Sequence, residues 1–387
     1  MAQHALELRM AAEPKPSYDV RWVTLITGMV VLGLVMAFSA SYPKASAMTS
    51  DSVPGDALKY FKLHLMFVCI GLAGMIWASR VRPAMMQRYS GLGLLVCLGL
   101  MFATLVIGMV TGEKTRGAIL FIDIGPIRFQ PSEFAKIFFI AFLAAKLSLG
   151  PLDGKTLKRV GYPIAWATAL YCGILLLQSD QGMMVLVFLI ALAMSYLGGL
   201  SLGRLGTILG GAGVLATLAA VTDAERLERI RAWIDPLKYQ DSSGRHILSM
   251  LVASARGWIG GLGLGMSPDK WGQMPEAHTD SIFCVMAGEL GLLVMGGFLV
   301  LIGAIVMRCF QTAKWSSDSF GYFLASGIGI MLGTQALINM FVATNMMPVT
   351  GLTLPYISYG GSSLITCLTA AGMVMSVYRH GKRGEGA

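Results

Sequence analysis

GWIGGLGLGMSPDKWGQMPEAHTDSIFCVMAGELG, from Gly257 to Gly291, begins as a glycine-rich loop and ends inside an apolar run. The run continues to about residue 307 with Glu289 as its lone carboxylate, long enough to cross the ~30 Å hydrocarbon core of a bilayer. Just before it stand Glu276, His278 and Asp280. Carboxylates and an imidazole thus sit where a long loop meets the membrane, the place an enzyme acting on a lipid-linked substrate needs them.

The rest of the chain agrees with a membrane setting. Of its 387 residues 55% are hydrophobic and 13% charged, too little charge to cover a soluble domain of this size. Mean hydropathy is +0.66. About ten apolar segments are long enough to span, near 21–41, 60–79, 90–111, 133–149, 160–178, 182–200, 204–221, 281–307, 321–343 and 362–378. The expected fold class is therefore all-α and polytopic, with a membrane domain over 21–378 and a large extracytoplasmic loop, 222–280, between the seventh and eighth spans. Tails of 1–20 and 379–387 flank it. Residues 1–20 are polar, hold Pro14 and Pro16 and lack a small-residue cleavage site, so no cleavable leader is expected.

An even number of spans puts both ends on one side. Arg9, Lys15, Arg21, Arg80, Arg82, Arg88, Lys146, Lys155, Lys158, Arg159, Arg204, Arg308, Lys314, Arg379, Lys382 and Arg383 all fall there, which makes that side cytoplasmic. Two outer loops break the pattern. One carries Lys114, Arg116 and Arg128; the other carries Arg226, Arg229, Arg231, Lys238, Arg245, Arg256 and Lys270. So much cation carried outward suggests a task such as holding an anion. The net charge of +9 is scattered over loops rather than gathered on one face, so no nucleic-acid partner is expected.

Within 222–280, Thr222 can cap a helix over 223–234, and 246–255 is apolar enough to lie on or dip into the membrane surface. The glycines of 257–265 permit tight turns or close approach to a ligand. A second irregular stretch, 344–363, can re-enter the membrane where protein buries it. The six cysteines lie in apolar runs and read as small buried hydrophobes, with no disulfide framework.

Asp280 is either a general base at the membrane surface or a cap of the following helix, since Thr and Asp both favour N-caps. With His278 it has the makings of a metal pair, though two ligands at that spacing are a weak set. In the run Arg128 to Lys136, Pro131 suits the first turn of a helix. Glu133 and Lys136 form an i, i+3 pair that is either self-neutralising or, with Arg128, a phosphate clamp; an ionisable group that deep in an apolar helix favours the second reading. Asp180 can cap the sixth span or line a polar cavity. Gln335 and Asn339 suit hydrogen bonding between helices. No phosphate-binding loop or dinucleotide fingerprint is present.

Together, Pro275 to Asp280, Arg128 to Lys136 and Gly351 to Ser363 resemble the SEDS family (shape, elongation, division and sporulation) over nearly the whole chain, and the Leu352-Thr353 pair is more like its division branch. The resemblance implies a GT-C-like membrane glycosyltransferase that polymerises lipid II into peptidoglycan strands at the septum, in the bacterial inner membrane. It would work beside a class B penicillin-binding transpeptidase and other division membrane proteins. It puts the catalytic aspartate at Asp280 and the basic pair at Arg128 and Lys136. Glu133, Glu276, His278, Lys270, Ser358 and Gly360 complete the expected substrate-binding set. No cofactor is certain; a divalent cation, Mg or Mn, on the pyrophosphate stays open. The chain departs from the family pattern at Leu120-Phe121, Ser179, Gln181, Gly272 and Gly288. Attack by a sugar hydroxyl on an anomeric carbon bearing a diphosphate needs one base and a cationic clamp, because the leaving group is already an anion. The 257–265 loop would then shape the acceptor site. A lipid II flippase and a non-catalytic division scaffold are the rival readings.

Overall fold

The computed structural model describes residues 18–47, 56–111, 120–124, 127–153, 156–221, 224–272, 274 and 276–381. Arg9, Lys15, Lys114, Arg116, Lys155, Thr222, Pro275, Lys382 and Arg383, on which parts of the reading above rest, lie outside them.

Among the described residues the chain forms α1 (Val20–Ala47), α2 (Lys59–Arg80), α3 (Pro83–Thr111), the strands β1 (Ile122–Ile124) and β2 (Ile127–Phe129), α4 (Pro131–Leu147), a single π-turn (Leu157–Gly161), α5 (Tyr162–Leu177), α6 (Gln181–Leu197) and α7 (Leu202–Val221). Then come α8 (Ala224–Ile234), α9 (Ser243–Arg256), α10 (Ile282–Lys314), α11 (Ser319–Ala343) and α12 (Gly361–His380). Each expected apolar segment is a helix, and α8 and α9 lie in the long loop. Among the described residues seven helices are long and apolar enough to cross a membrane: α1, α2, α3, α5 with its π-turn, α10, α11 and α12. α6 and the apolar part of α7 are shorter. α4, 17 residues long, starts at Pro131, as proline's fixed φ favours, and carries Glu133 and Lys136 inside its apolar run. α3 starts at Pro83, well before the expected residue 90, because Val81 is extended and ends α2. Among the described residues the one departure from helix in the regular elements is the hairpin β1–β2, antiparallel with Asp123 opposite Arg128.

α4, α11 and α12 are central. In its most apolar window α12 is 83% buried, whereas α2 and α10 are 28% buried. The exposed remainder is apolar: Trp77, Leu95, Val110, Trp166, Leu293 and Val300 all face outward. A belt this apolar is tolerated in lipid, not in water. The cysteines are all free; Cys172 is only partly buried and Cys69 is exposed, so the expectation of six buried thiols is too broad.

α10 is not one continuous helix. Gly291 breaks it with φ 73 and ψ 176, a conformation open mainly to glycine. The break leaves backbone groups unsatisfied in an apolar setting, and the 257–265 loop supplies their partners. Leu262 N and Gly263 N donate to Gly288 O and Glu289 O at 3.0 and 2.9 Å, and Leu292 N and Leu293 N donate to Trp258 O and Ile259 O at 2.9 and 3.2 Å. Close approach explains the small residues: a Cβ on Gly257 would stand 1.9 Å from Ala287 O, and one on Gly288 2.7 Å from Ala253 O. The glycine loop therefore completes a broken membrane helix. It does not line the cavity described below, and the expected acceptor-site role is corrected accordingly. α9 likewise turns Ile247, Met250 and Ala253 into the protein rather than into lipid.

The bundle has two distinct ends. At one, Arg308 pairs with Asp19, Arg379 Nη1 donates to Ser79 O and Ser317 Oγ to His380 O. At the other, the C-terminal part of α1, the N-termini of α2, α4 and α12, the turn between α5 and α6, and the 276–281 and 349–360 segments surround a cavity.

Candidate active site

The cavity has a volume of about 1140 Å³. Four carboxylates line it, Glu133, Asp180, Glu276 and Asp280, as do Lys44, Lys59, Arg128, Arg229, His246 and His278. The residues come from sequence positions more than 300 apart, so packing alone assembles the site.

Asp280 stands on a turn immediately before α10. The cap reading fails, because Ser281 occupies the N-cap position and Asp280 is left outside the helix. Two tethers hold the turn. Asn339 Nδ2 of α11 donates to Asp280 O at 3.0 Å and to Leu352 O at 2.7 Å, and Tyr359 N donates to His278 O at 2.8 Å. Thr279 Oγ1 lies 3.3 Å from both Glu276 Oε2 and Asp280 Oδ1, linking the two carboxylates. Burial raises the Asp280 carboxyl above its ordinary range; His246 pulls it down and Glu276 pushes it further up. A half-buried, raised carboxylate on a cavity wall is the arrangement a general base requires. His246 is held in turn by Ser281 Oγ at 2.9 Å.

Arg128 is delivered by β2 and lies near the Phe121 ring, 6.0 Å from its centroid. Ser362 Oγ of α12 fixes this strand end, accepting from Gln130 N at 2.9 Å and donating to Arg128 O at 3.3 Å. Lys44 Nζ is 3.3 Å from Glu276 Oε1. Asp180 both caps α6, accepting from Met183 N at 3.0 Å, and lines the cavity, so its two readings are compatible. Burial pushes its carboxyl up to about 6. The Tyr60, Tyr359 and His278 rings form one aromatic wall with centroids 5.2–5.4 Å apart.

The structure divides the expected substrate-binding set. Asp280, Arg128, Glu133, Glu276, His278 and Gly360 share the cavity wall. Three others do not reach it. Lys136 is fully buried, its Nζ donating to Glu133 Oε2 at 2.8 Å and Gln335 Oε1 at 2.9 Å, so it stands one layer behind the wall as the counterion of Glu133. Lys270, itself in the 222–280 loop, donates to Glu289 Oε1 at 2.7 Å and Ser39 Oγ at 2.9 Å. Ser358 Oγ is buried and accepts from Leu354 N at 2.7 Å, closing a turn. Neither ammonium lines the cavity. Lys44, Lys59, Arg229, His246, Tyr60 and Tyr359 are wall residues that reading the sequence did not single out as a site; only Arg229, as one of the cations carried outward, and Tyr359, inside the Gly351–Ser363 motif, had a signal.

Gln335, besides accepting from Lys136, donates to Thr353 O at 2.9 Å, so it does join α4 to the segment before α12. Among the described residues no three His, Cys, Asp or Glu side chains gather as metal ligands. The linked pair Glu276 and Asp280 could supply two carboxylate ligands to a divalent cation.

A bundle of apolar helices around a mixed-charge cavity at one end defines a polytopic membrane protein with a polar chamber. The family model described as cell cycle protein (FtsW/RodA/SpoVE) matches residues 20–383, and the chain belongs to that family. It is 36% identical over 367 residues to the probable peptidoglycan glycosyltransferase FtsW of Coxiella burnetii, covering 93% of this chain and 96% of that one. The corresponding protein of Aeromonas salmonicida is 33% identical, with 95% and 92% covered. Among solved structures, one described as "Structural coordination of polymerization and crosslinking by a peptidoglycan synthase complex" matches with a TM-score of 0.77, 28% identity and 96% and 100% coverage. The rod shape determining protein RodA of Thermus thermophilus matches with a TM-score of 0.68, 28% identity and 95% and 98% coverage.

Proposed function

We propose that this chain is a peptidoglycan glycosyltransferase that polymerises lipid II during septal wall synthesis. The observation that carries the reading is the Asp280 carboxylate and the Arg128 guanidinium on the wall of one cavity. An acceptor sugar hydroxyl attacks the anomeric carbon of a second, lipid-linked sugar. The new C–O bond forms as the bond to the diphosphate breaks, the hydroxyl proton passes to Asp280, and the lipid diphosphate leaves as an anion. Arg128, with Lys44, Lys59 and Arg229 nearby on the wall, offsets the charge of the departing group. Direct displacement inverts the anomeric centre. Lys136 acts at one remove, keeping Glu133 neutralised so that the wall does not repel the diphosphate. Were a divalent cation, Mg or Mn, to accompany the diphosphate, Glu276 would hold it there to add positive charge, with Asp280 left as the base.

The clustering of Arg80, Arg82, Arg88, Arg308, Lys314 and Arg379 at the end away from the cavity supports an inner-membrane orientation with that end cytoplasmic, the 1–20 and 379–387 tails on that side of the 21–378 domain, and the cavity and 222–280 loop outside. The likeness to a synthase complex that couples polymerisation to crosslinking supports a class B transpeptidase partner, within a larger set of division membrane proteins.

The test is glycan-chain formation from lipid II by purified protein, with and without that transpeptidase. Asp280→Ala and Asp280→Asn should each lose ~10²–10⁴-fold in rate while staying folded. Near-normal polymer from folded Asp280→Ala would refute the base assignment. Lipid II flipping in liposomes with no polymer formed would favour a flippase, and cell division unaffected by loss of Asp280 would favour a scaffold.

A further inference from the structure

A second concavity lies at the opposite end of the molecule, in the hairpin between α2 and α3. It is an open groove of about 550 Å³ lined by Trp77, Arg80, Arg82, Met85 and Arg88 with Val81 and Ala84. All three guanidinium groups are exposed, and among the described residues none forms an ion pair with a carboxylate. Trp77 and Met85 are exposed to 67% and 51%, at the point where two membrane helices meet the aqueous phase. The hairpin is not a loose turn. Ser376 Oγ donates to Val81 O, Arg379 Nη1 donates to Ser79 O at 3.2 Å, and Gly372 of α12 packs onto the Met75 backbone. The groove floor is therefore fastened to α12, with all three arginines exposed.

We infer that this groove binds an anionic phospholipid, its phosphate headgroup held by Arg80, Arg82 and Arg88 and its glycerol and upper acyl region lying against Trp77 and Met85. Three exposed guanidinium groups around one concavity, none ion-paired to a carboxylate among the described residues and Arg88 lying against the Tyr89 ring, call for a phosphate-like anion, because arginine's planar fork matches phosphate oxygens. The exposed indole and thioether beside them call for an anion with an apolar body. A tryptophan at a helix end marks the interfacial depth where headgroups sit. A free phosphate would leave Trp77 and Met85 uncovered, and an acidic protein would have to reach them at the depth of the lipid headgroups. The site is separate from the cavity that holds Asp280.

Purified protein in neutral detergent, titrated with phosphatidylglycerol or with phosphatidylcholine, provides the test, read by native mass spectrometry and by thermal unfolding. Phosphatidylglycerol should bind and raise the melting temperature, and phosphatidylcholine should not. Arg80→Gln/Arg82→Gln/Arg88→Gln should weaken phosphatidylglycerol binding by ~10-fold or more and remove the thermal shift. Lys158→Gln/Arg159→Gln/Arg204→Gln, which removes equal charge outside the groove at the same end, should keep both. Trp77→Ala should weaken the lipid while leaving binding of inorganic phosphate unchanged. Equal loss in the two triple variants would overturn the proposal, as it would mean general attraction to a basic face. Binding of inorganic phosphate as tight as that of the lipid would overturn it too, as would a melting shift unaltered by the groove variant.

Discussion

Lys136 and Lys270 are both buried lysines, each facing a buried glutamate, at 2.8 Å from Glu133 and 2.7 Å from Glu289. Their chemistry is alike and their surroundings are not. Glu133 lines the cavity, so the first pair sets the charge of a wall that a substrate would meet. The second pair does not line the cavity: Glu289 Oε2 also accepts from Ser39 Oγ at 2.6 Å and from Gly265 N at 3.0 Å, fastening the 257–265 loop and the broken α10 to α1. The cost of burying an ion signals that a lysine matters. It does not say what the lysine is for; that depends on whether its partner opens onto a ligand.

Removing one member of the second pair should have the largest effect on stability. Lys270→Met strands Glu289 in an apolar interior and should cost ~3–5 kcal/mol, measured by thermal or denaturant unfolding in detergent. Lys270→Met/Glu289→Leu should recover most of it, and the molecules that remain folded should polymerise normally. A double variant as unstable as the single would break the comparison, because it would mean the loop needs the charges themselves.

The first pair should respond in activity. Lys136→Met leaves an uncompensated Glu133 carboxylate at the cavity and should lower the polymerisation rate by about 10–100-fold, as truncating one partner of a buried charge pair does. Adding Glu133→Gln should restore part of that loss. If the second change deepens the loss instead, Lys136 must contact the substrate directly after a rearrangement.

The smallest expected effect is on the pH profile. Glu276 raises Asp280, whose base form is present only above its pKa. Glu276→Gln should therefore move the acid limb of the rate profile to lower pH, whereas His246→Gln, which removes a neighbour that lowers Asp280, should move it up. An acid limb that stays in place in both variants would detach Asp280 from that limb.

Much of the fold was legible because membrane helices are written locally. An apolar run of sufficient length has no alternative in a bilayer, and the expected segments each became a helix. Asp180 as a cap and the helix in the 224–234 region followed from equally local rules. Half of the site was legible for a different reason: Asp280 and Arg128 sit in motifs, and both line the cavity. Lys44, Lys59, Tyr60 and His246 had no such signal. Each is an ordinary residue at a helix end until packing brings it to the wall.

By itself, then, the sequence determined that the chain lives in a membrane, where its helices run and which short motifs carry charge at one side of it. These follow from transfer free energies and hydrogen-bond needs that act over a few residues. Only the tertiary structure decided which charges face the cavity and which are consumed by one another. It also decided that Ser281 rather than Asp280 heads α10, and that the glycine loop repairs a broken helix. Those outcomes depend on side chains such as Lys44 and Glu276, 232 positions apart, being driven together by burial of the helices between them.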